Sequence, residues 1–323
     1  SFLITKAEEI PTRVAEAFHL AATGRPGPVL IDVSKDAQTT EIEYRPASAL
    51  ELPGYALPGR PNQRKLAQAA EVIASAERPV LYLGGGLNRA DVPQDELLAL
   101  VDLIGAPFTT TLTALDVLPS GHPLNLGMPG MHGTVAAVGA LQRADVIVCL
   151  GARFDDRVTG KPDTFATKAS VIHVDVDPAE ISKIRTADVP IVGDVREVLI
   201  DLDAAFRGAT GGEKPDTAEW WSYLEGLLNE FPLGYTQPSD GLMSPQYVIS
   251  RIGELTGPEG VYAAGVGQLQ ADRGSYALRQ LFEGLQRRRV RSARRRPFDG
   301  RDLSRRRCDG RLSVRHPCRP AGE

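Results

Sequence analysis

The sequence predicts an α/β fold: a doubly wound parallel sheet flanked by partial α/β domains. Two observations predict it. Short, β-branched apolar runs, as expected of strands buried on both faces, alternate with segments of helical apolar spacing, and two stretches rich in proline, glycine and charge interrupt the alternation.

Taken in chain order, Ile10, Val14, Ala17 and Leu20 recur at helical spacing from Ala7 to Ala22, and Gly24-Arg25-Pro26-Gly27 breaks the pattern. Pro28 to Val33 (PVLIDV) then reads as a buried strand. Pro53, Pro58 and Pro61 with Gly54 and Gly59 make residues 48–62 a linker, closing a first unit at residues 1–47. A central domain follows over residues 63–208. Helices are expected near 63–76, 94–104, 133–143 and 195–206, with strands at 79–83 (PVLYL), 107–112, 145–150 (DVIVCL), 171–176 (VIHVDV) and 189–192. A second linker, 209–217, leads to a unit over 218–270: a helix near 218–230, another opening at Ser244-Pro245, and a strand at 260–264 ending in Gly265-Val266-Gly267.

The composition fits a globular chain of about two domains: 323 residues, 42% apolar and 24% charged. No run approaches the roughly 20 apolar residues of a membrane span, and the first 20 residues lack a leader pattern, so a cytoplasmic setting without a membrane partner is expected. Cys149, Cys308 and Cys318 are too few for a disulfide framework. Ser1 opens inside a structured pattern, which predicts a piece of a longer chain. The net charge of −4 hides two unlike regions: residues 1–270 carry 21 basic and 35 acidic residues, residues 271–323 carry 16 Arg, 6 acidic residues and no Lys. Such an Arg-rich stretch can neutralise phosphates, but its lack of apolar periodicity favours a disordered or out-of-frame tail over a nucleic-acid arm.

Candidate chemistry gathers at strand ends. Gly84, Gly85 and Gly86 follow PVLYL and would let a ligand approach the backbone; a mere tight turn is the plainer reading. Thr111 and Leu112 end the next strand. Met131 and His132 stand in a glycine-rich segment, Gly127 to Thr134, leading into a helix start that could face a diphosphate. Gly151, Ala152, Arg153, Asp155, Arg157 and Val158 form the densest cluster: two arginines suit phosphate and carboxylates suit hydroxyls, whereas Asp155 with Asp156 as a metal or acid/base pair is less favoured than salt bridging to the arginines. Asp175 and Val176 end VIHVDV, and Asp194 and Val195 follow the next strand; Asp177 reads as the cap of a following helix. Every candidate binds; none is placed for catalysis, and no metal set is read. Cys308, Cys318 and His316 lack zinc-site spacing.

Taken together, GRPGPVLIDVSKD, VLYLGGG, NLGMPGMHGT, LGARFDDRVTGK, HVDVDPAEI, ADVPIVGDV and AAGVGQ resemble the large catalytic subunits of the acetolactate synthase family across residues 1–270. The resemblance implies an enzyme with a pyrimidine domain, a central FAD-binding domain and a diphosphate domain. Such enzymes use thiamine diphosphate, Mg²⁺ and FAD to decarboxylate pyruvate and join it to a second 2-oxo acid on the route to branched-chain amino acids. Residues 1–47 would then end the pyrimidine domain and 218–270 begin the diphosphate domain. The flavin contacts would fall on Arg25, Gly84, Gly85, Gly86, Thr111, Leu112, Met131, His132, Gly151, Ala152, Arg153, Asp155, Arg157, Val158, Asp175, Val176, Asp194 and Val195. Gly265, Val266, Gly267 and Gln268 would be an incomplete thiamine diphosphate motif, since Leu269 stands where the family has His, and Asp116 replaces a usual glycine. The family's glutamate and its Gly-Asp-Gly metal motif are not found, so this chain alone is expected to be inactive. By the same resemblance, large subunits form homodimers or tetramers joined by a small regulatory subunit. A stand-alone dinucleotide-binding module, or another thiamine flavoenzyme such as a glyoxylate carboligase, is the alternative.

Overall fold

A computed structural model describes residues 1–47, 50, 52–119, 121–236 and 238–256. The expected strand at 260–264, the Gly265–Gln268 motif and the Arg-rich tail lie outside the described residues.

The first residues form a two-stranded parallel sheet, β1 (Phe2–Ile4) and β2 (Ile31–Val33), with Phe2 opposite Ile31 and Ile4 opposite Val33. Helix α1 (Ile10–Ala22) packs on it after a 3-10 turn, Ala7–Glu9, and α2 (Lys35–Thr39) follows, capped by Ser34, whose Oγ accepts from Ala37 N. The expected strand over 28–33 is thus halved, and it is not buried on both faces: Ile31 and Val33 are half-buried, Asp32 is exposed and Leu30 is 69% exposed. Burial of a run on both faces needs a layer on each side, and a two-stranded sheet beside one helix does not supply it.

Residues 52–62 contain no regular element, and α3 (Gln63–Ala74) then starts under Asn62, whose Oδ1 accepts from Arg64 N and Lys65 N. The central layer continues with β3 (Pro79–Leu83), the one-turn α4 (Gly86–Arg89), α5 (Gln94–Ile104) and β4 (Phe108–Thr110). After these come α6 (Val135–Arg143), β5 (Val146–Leu150), the one-turn α7 (Asp156–Thr159), β6 (Ser170–Asp175), β7 (Val189–Val192) and α8 (Val195–Thr210). Two boundaries differ from expectation. The strand read over 107–112 ends at Thr110: Thr111 N still bonds Leu83 O at 2.9 Å, but Leu112–Ala114 wind into a 3-10 turn. Helix α8 runs through Gly208 to Thr210 and stops at Gly211, whose left-handed φ of 67° closes the last turn.

The five strands β3 to β7 are all parallel, in the order β4-β3-β5-β6-β7. Every residue of β3 and β5 is buried, because both faces are covered. Leu81, Leu83, Val146, Val148, Leu150, Ile172 and Val174 point into one core with α3, α5 and α8. Their alternates Val80, Tyr82, Ile147, Cys149 and Val171 point into a second core with α6 and the helix α9 (Ala218–Glu230). Helix α9 sits on this layer: Trp220 is 4% exposed and donates from Nε1 to Pro79 O at 3.2 Å. Gly139 of α6 lets the two helices approach, since a Cβ there would stand 2.7 Å from Leu227 Cδ1. The stretch 209–217 is therefore a connection within one packed body at this point of the chain. A last helix, α10 (Pro245–Thr256), starts after Ser244, whose Oγ accepts from Tyr247 N. Among the described residues no helix is long and apolar enough to cross a membrane.

Candidate functional site

The chain leaves β3 for β4 on one side and returns to β5 on the other, so the connections above the carboxyl ends of β3 and β5 diverge. In open parallel sheets that divergence leaves a crevice. A cleft of about 850 Å³ opens there, towards the upper end of the roughly 300–1,000 Å³ usual for ligand pockets.

Each strand end contributes to its wall. From β3 and α4 come Tyr82, Gly85, Gly86 and Arg89; from beyond β4 come Thr111, Leu112 and Thr113. The loop before α6 supplies Met128, Pro129, Met131 and His132; the end of β5 and α7 supply Gly151, Ala152, Arg153, Asp155, Arg157 and Val158. Asp175 closes the β6 side, and Arg25 reaches in from the turn after α1. Of the expected residues, Gly84, Val176, Asp194 and Val195 are not on the wall. Asp194 instead caps α8, accepting from Arg196 N at 2.8 Å. Sequence reasoning missed Tyr82, Arg89, Thr113, Met128 and Pro129; Tyr82 reads as an ordinary apolar strand residue.

The glycines serve close packing between two strand ends. Gly84 N donates to Leu150 O and Gly86 N to Gly151 O, both at 2.9 Å. A Cβ on Gly84 would stand 2.2 Å from Gly151 O, and one on Gly86 would stand 2.7 Å from Gly151 Cα. Only Gly85 looks towards the cleft's Thr113, with Oγ1 2.5 Å from its would-be Cβ. The glycine-rich segment before α6 also differs from expectation. Thr134 caps that helix itself, its Oγ1 accepting from Ala137 N at 3.0 Å. Neither Thr134 nor Val135 lines the cleft. Met131, by contrast, is 79% exposed at the rim.

Charge in the cleft is unevenly paired. Arg25 Nη1 donates to Glu180 Oε1 at 2.7 Å and Asp177 Oδ2 at 3.1 Å. Burial alone would raise both carboxyls; backbone and side-chain hydrogen bonds and the nearby cations outweigh it and hold both below the usual range. No helix follows Asp177, contrary to the capping expectation: its Oδ1 accepts from Ala179 N in a turn. Burial raises the Asp175 carboxyl despite the hydrogen bond it accepts from Asp177 N at 2.8 Å. Asp155 caps α7 by accepting from Arg157 N, and Arg157 lies 3.7 Å from Asp156 in an exposed pair, the salt bridging that the sequence favours. Among the described residues Arg153 and Arg89 have no ion-pair partner, and no group of three or more His, Cys, Asp or Glu could hold a metal ion. Four guanidinium groups face two cleft carboxylates, Asp155 and Asp175, so the cleft suits an anionic ligand bearing hydroxyls.

Residues 66–202, the sheet and its helices, match the family model described as the thiamine pyrophosphate enzyme central domain. The chain is similar to an acetolactate synthase of Mycobacterium leprae, 50% identical over 270 residues, covering 84% of this chain and 43% of that protein. The acetolactate synthase large subunit of Corynebacterium glutamicum is 50% identical over the same shares. Acetolactate synthase 1, chloroplastic, of Zea mays is 43% identical over 272 residues, 84% of this chain and 42% of that protein. The chain thus spans less than half the length of these relatives.

Proposed function

We propose that the chain supplies the FAD-holding body of an acetolactate synthase large subunit; its match to the thiamine pyrophosphate enzyme central domain and its alignment with acetolactate synthases support this reading. The observation that carries this reading is the cleft at the β3/β5 divergence, walled by strand ends and holding two unpaired guanidinium groups. In that reading Arg153 and Arg89 meet the diphosphate. The carboxylate of Asp175 accepts from ribose or ribityl hydroxyls, with Thr111 beside them, and Met131 and Pro129 cover flat ring surface. Arg25, tied to Glu180 and Asp177, holds the turn after α1 against the same wall. Thiamine diphosphate, when bound in the whole enzyme, supplies the chemistry that decarboxylates one 2-oxo acid and joins it to another; the residues of this cleft bind and exclude water. Large subunits assembling with one another and with a small regulatory subunit belong to the same reading.

Titration of the folded chain with FAD tests it. Saturable quenching of flavin fluorescence and a rise in melting temperature are expected. Arg153→Ala should weaken binding by about tenfold or more, as expected for losing one charge-assisted contact of roughly 1.5–3 kcal/mol. A folded sample showing no saturable response would overturn the reading.

A further inference from the structure

Three buried polar side chains lie in one row across the sheet. Tyr82 of β3 is paired in register with Cys149 of β5, and Cys149 with His173 of β6. All three are shut off from solvent, His173 at 1% exposure, on the face that packs against α6 and α9. Polar groups in such a layer cost free energy unless they are hydrogen-bonded, and these converge on two consecutive carbonyls. Cys149 Sγ donates to Ala152 O at 3.1 Å, and His173 Nε2 lies 3.0 Å from the same oxygen. Tyr82 Oη donates to Arg153 O at 3.5 Å. A carbonyl only accepts, so Nε2 of His173 carries the proton; its Nδ1 has no partner among the described residues. Phe154 packs edge-on against the His173 ring, 5.2 Å between centroids, and fixes its plane.

The geometry has a directional consequence. In a trans peptide the N–H points opposite to the preceding C=O. With the carbonyls of Ala152 and Arg153 drawn inward, the N–H groups of Arg153 and Phe154 turn the other way. Among the described residues nothing accepts from the Arg153 N–H. We propose that His173, Cys149 and Tyr82 are positioning residues that aim the Ala152–Arg153 backbone and the Arg153 guanidinium at the anionic part of the ligand. This inference rests on the reading of the cleft as a flavin nucleotide site. Burial supports it by keeping all three groups protonated donors, or neutral in the case of His173: it pushes the Tyr82 phenol and the Cys149 thiol up and the His173 imidazole down.

Two measurements test the proposal. Long-range ¹H–¹⁵N correlation on the ligand-free chain should show His173 as the neutral Nε2–H tautomer, with the Arg153 amide resonance displaced in His173→Leu and restored in His173→Gln. An Nδ1–H tautomer, an imidazolium at neutral pH, or an unmoved Arg153 amide would overturn it. In FAD titration His173→Leu should raise Kd about tenfold and His173→Gln, which keeps a donor, less than about threefold. If His173→Leu fails to fold, Cys149→Ala against Cys149→Ser takes its place, with weaker binding expected only for the alanine. A chain that binds FAD equally well in wild type and donor-less variants refutes the positioning role alone. A wild type that binds no FAD refutes the functional reading and leaves the ligand-free measurements to decide the positioning of Arg153.

Discussion

Replacing Gly84 by alanine is the sharpest test of how the cleft is built. The backbone of Gly84 is not in the left-handed region, so an alanine there suffers no intrinsic strain. The cost is steric: the new methyl would stand 2.2 Å from Gly151 O, 2.4 Å from Ala152 Cα and 2.5 Å from Ala152 Cβ. Two of these are main-chain atoms of the neighbouring strand end, which cannot swing aside as a long side chain can. Overpacking of this kind costs about 1–3 kcal/mol. Separating the two strand ends also lengthens the Gly84 N–Leu150 O and Gly86 N–Gly151 O hydrogen bonds, at about 1 kcal/mol each. The expected destabilisation is therefore about 3–5 kcal/mol, or a fall of roughly 6–20 °C in Tm for a body of this size. Gly208→Ala is the control: Gly208 lies inside α8 with nothing within 4 Å of a would-be Cβ, and alanine should stabilise by about 0.5–1 kcal/mol. Thermal melts followed by far-ultraviolet circular dichroism read both variants. A Gly84→Ala protein melting within about 2 °C of wild type would refute the claim that these glycines exist for strand-end contact.

Two other outcomes follow from the packing and the buried ring. Trp220→Ala should cost about 3–5 kcal/mol and lower the melting of the whole sheet in one transition, while Trp220→Phe, which loses the bond to Pro79 O and part of the buried ring but keeps an aromatic side chain, should cost less; a sheet whose melting ignores Trp220→Ala would place α9 in a separate body. His173 has its folded pKa below the 6.5 of the unfolded chain, so the unfolded state binds the extra proton first. Wild-type stability should therefore rise with pH through the window ending near 6.5 and fall below it, by at most about 1.4 kcal/mol per pH unit. Asp175 and Glu180 face the same ring and are present in both proteins, so the difference between wild type and His173→Gln reads this step in urea melts at pH 5.5–7.5; equal pH profiles for the two proteins would refute it.

The legible part of the fold is the part that burial dictates. PVLYL and the VIVCL of DVIVCL carry no charged residue, and such runs fit strands covered on both sides; β3 lies where the sequence puts it, and β5 starts one residue later, at Val146. PVLIDV differs by Asp32, which is exposed within β2, and lies in a two-stranded sheet with Leu30 exposed, because burial also depends on which layers surround a strand. The cleft was legible as strand ends: 14 of the 18 residues singled out in the sequence stand on its wall. What was hidden is pairing at a distance. Arg25 meets Asp177 and Glu180 more than 150 positions away, and Asp177 in isolation resembles any helix cap. Arg89 ends a helix of one turn, too short for any periodic signal.

The glycine triplet and the buried polar row act on the same short segment from opposite sides. Gly84 and Gly86 bring the β3 end against Gly151 with no side chain between them. That close approach leaves Gly151, at φ 59°, to turn the chain sharply out of β5. A chain turning that sharply has two carbonyls, those of Ala152 and Arg153, that would otherwise be free to rotate towards solvent or towards the protein. Cys149, His173 and Tyr82 settle the choice by offering donors on the inner side only. The exposed Arg153 guanidinium therefore starts from a backbone fixed at both ends, and a fixed origin reduces the conformational entropy lost when a long side chain closes on a ligand. A cleft lined by exposed arginines can be selective for this reason: precision resides in the strand-end backbone, and the charge is carried on it.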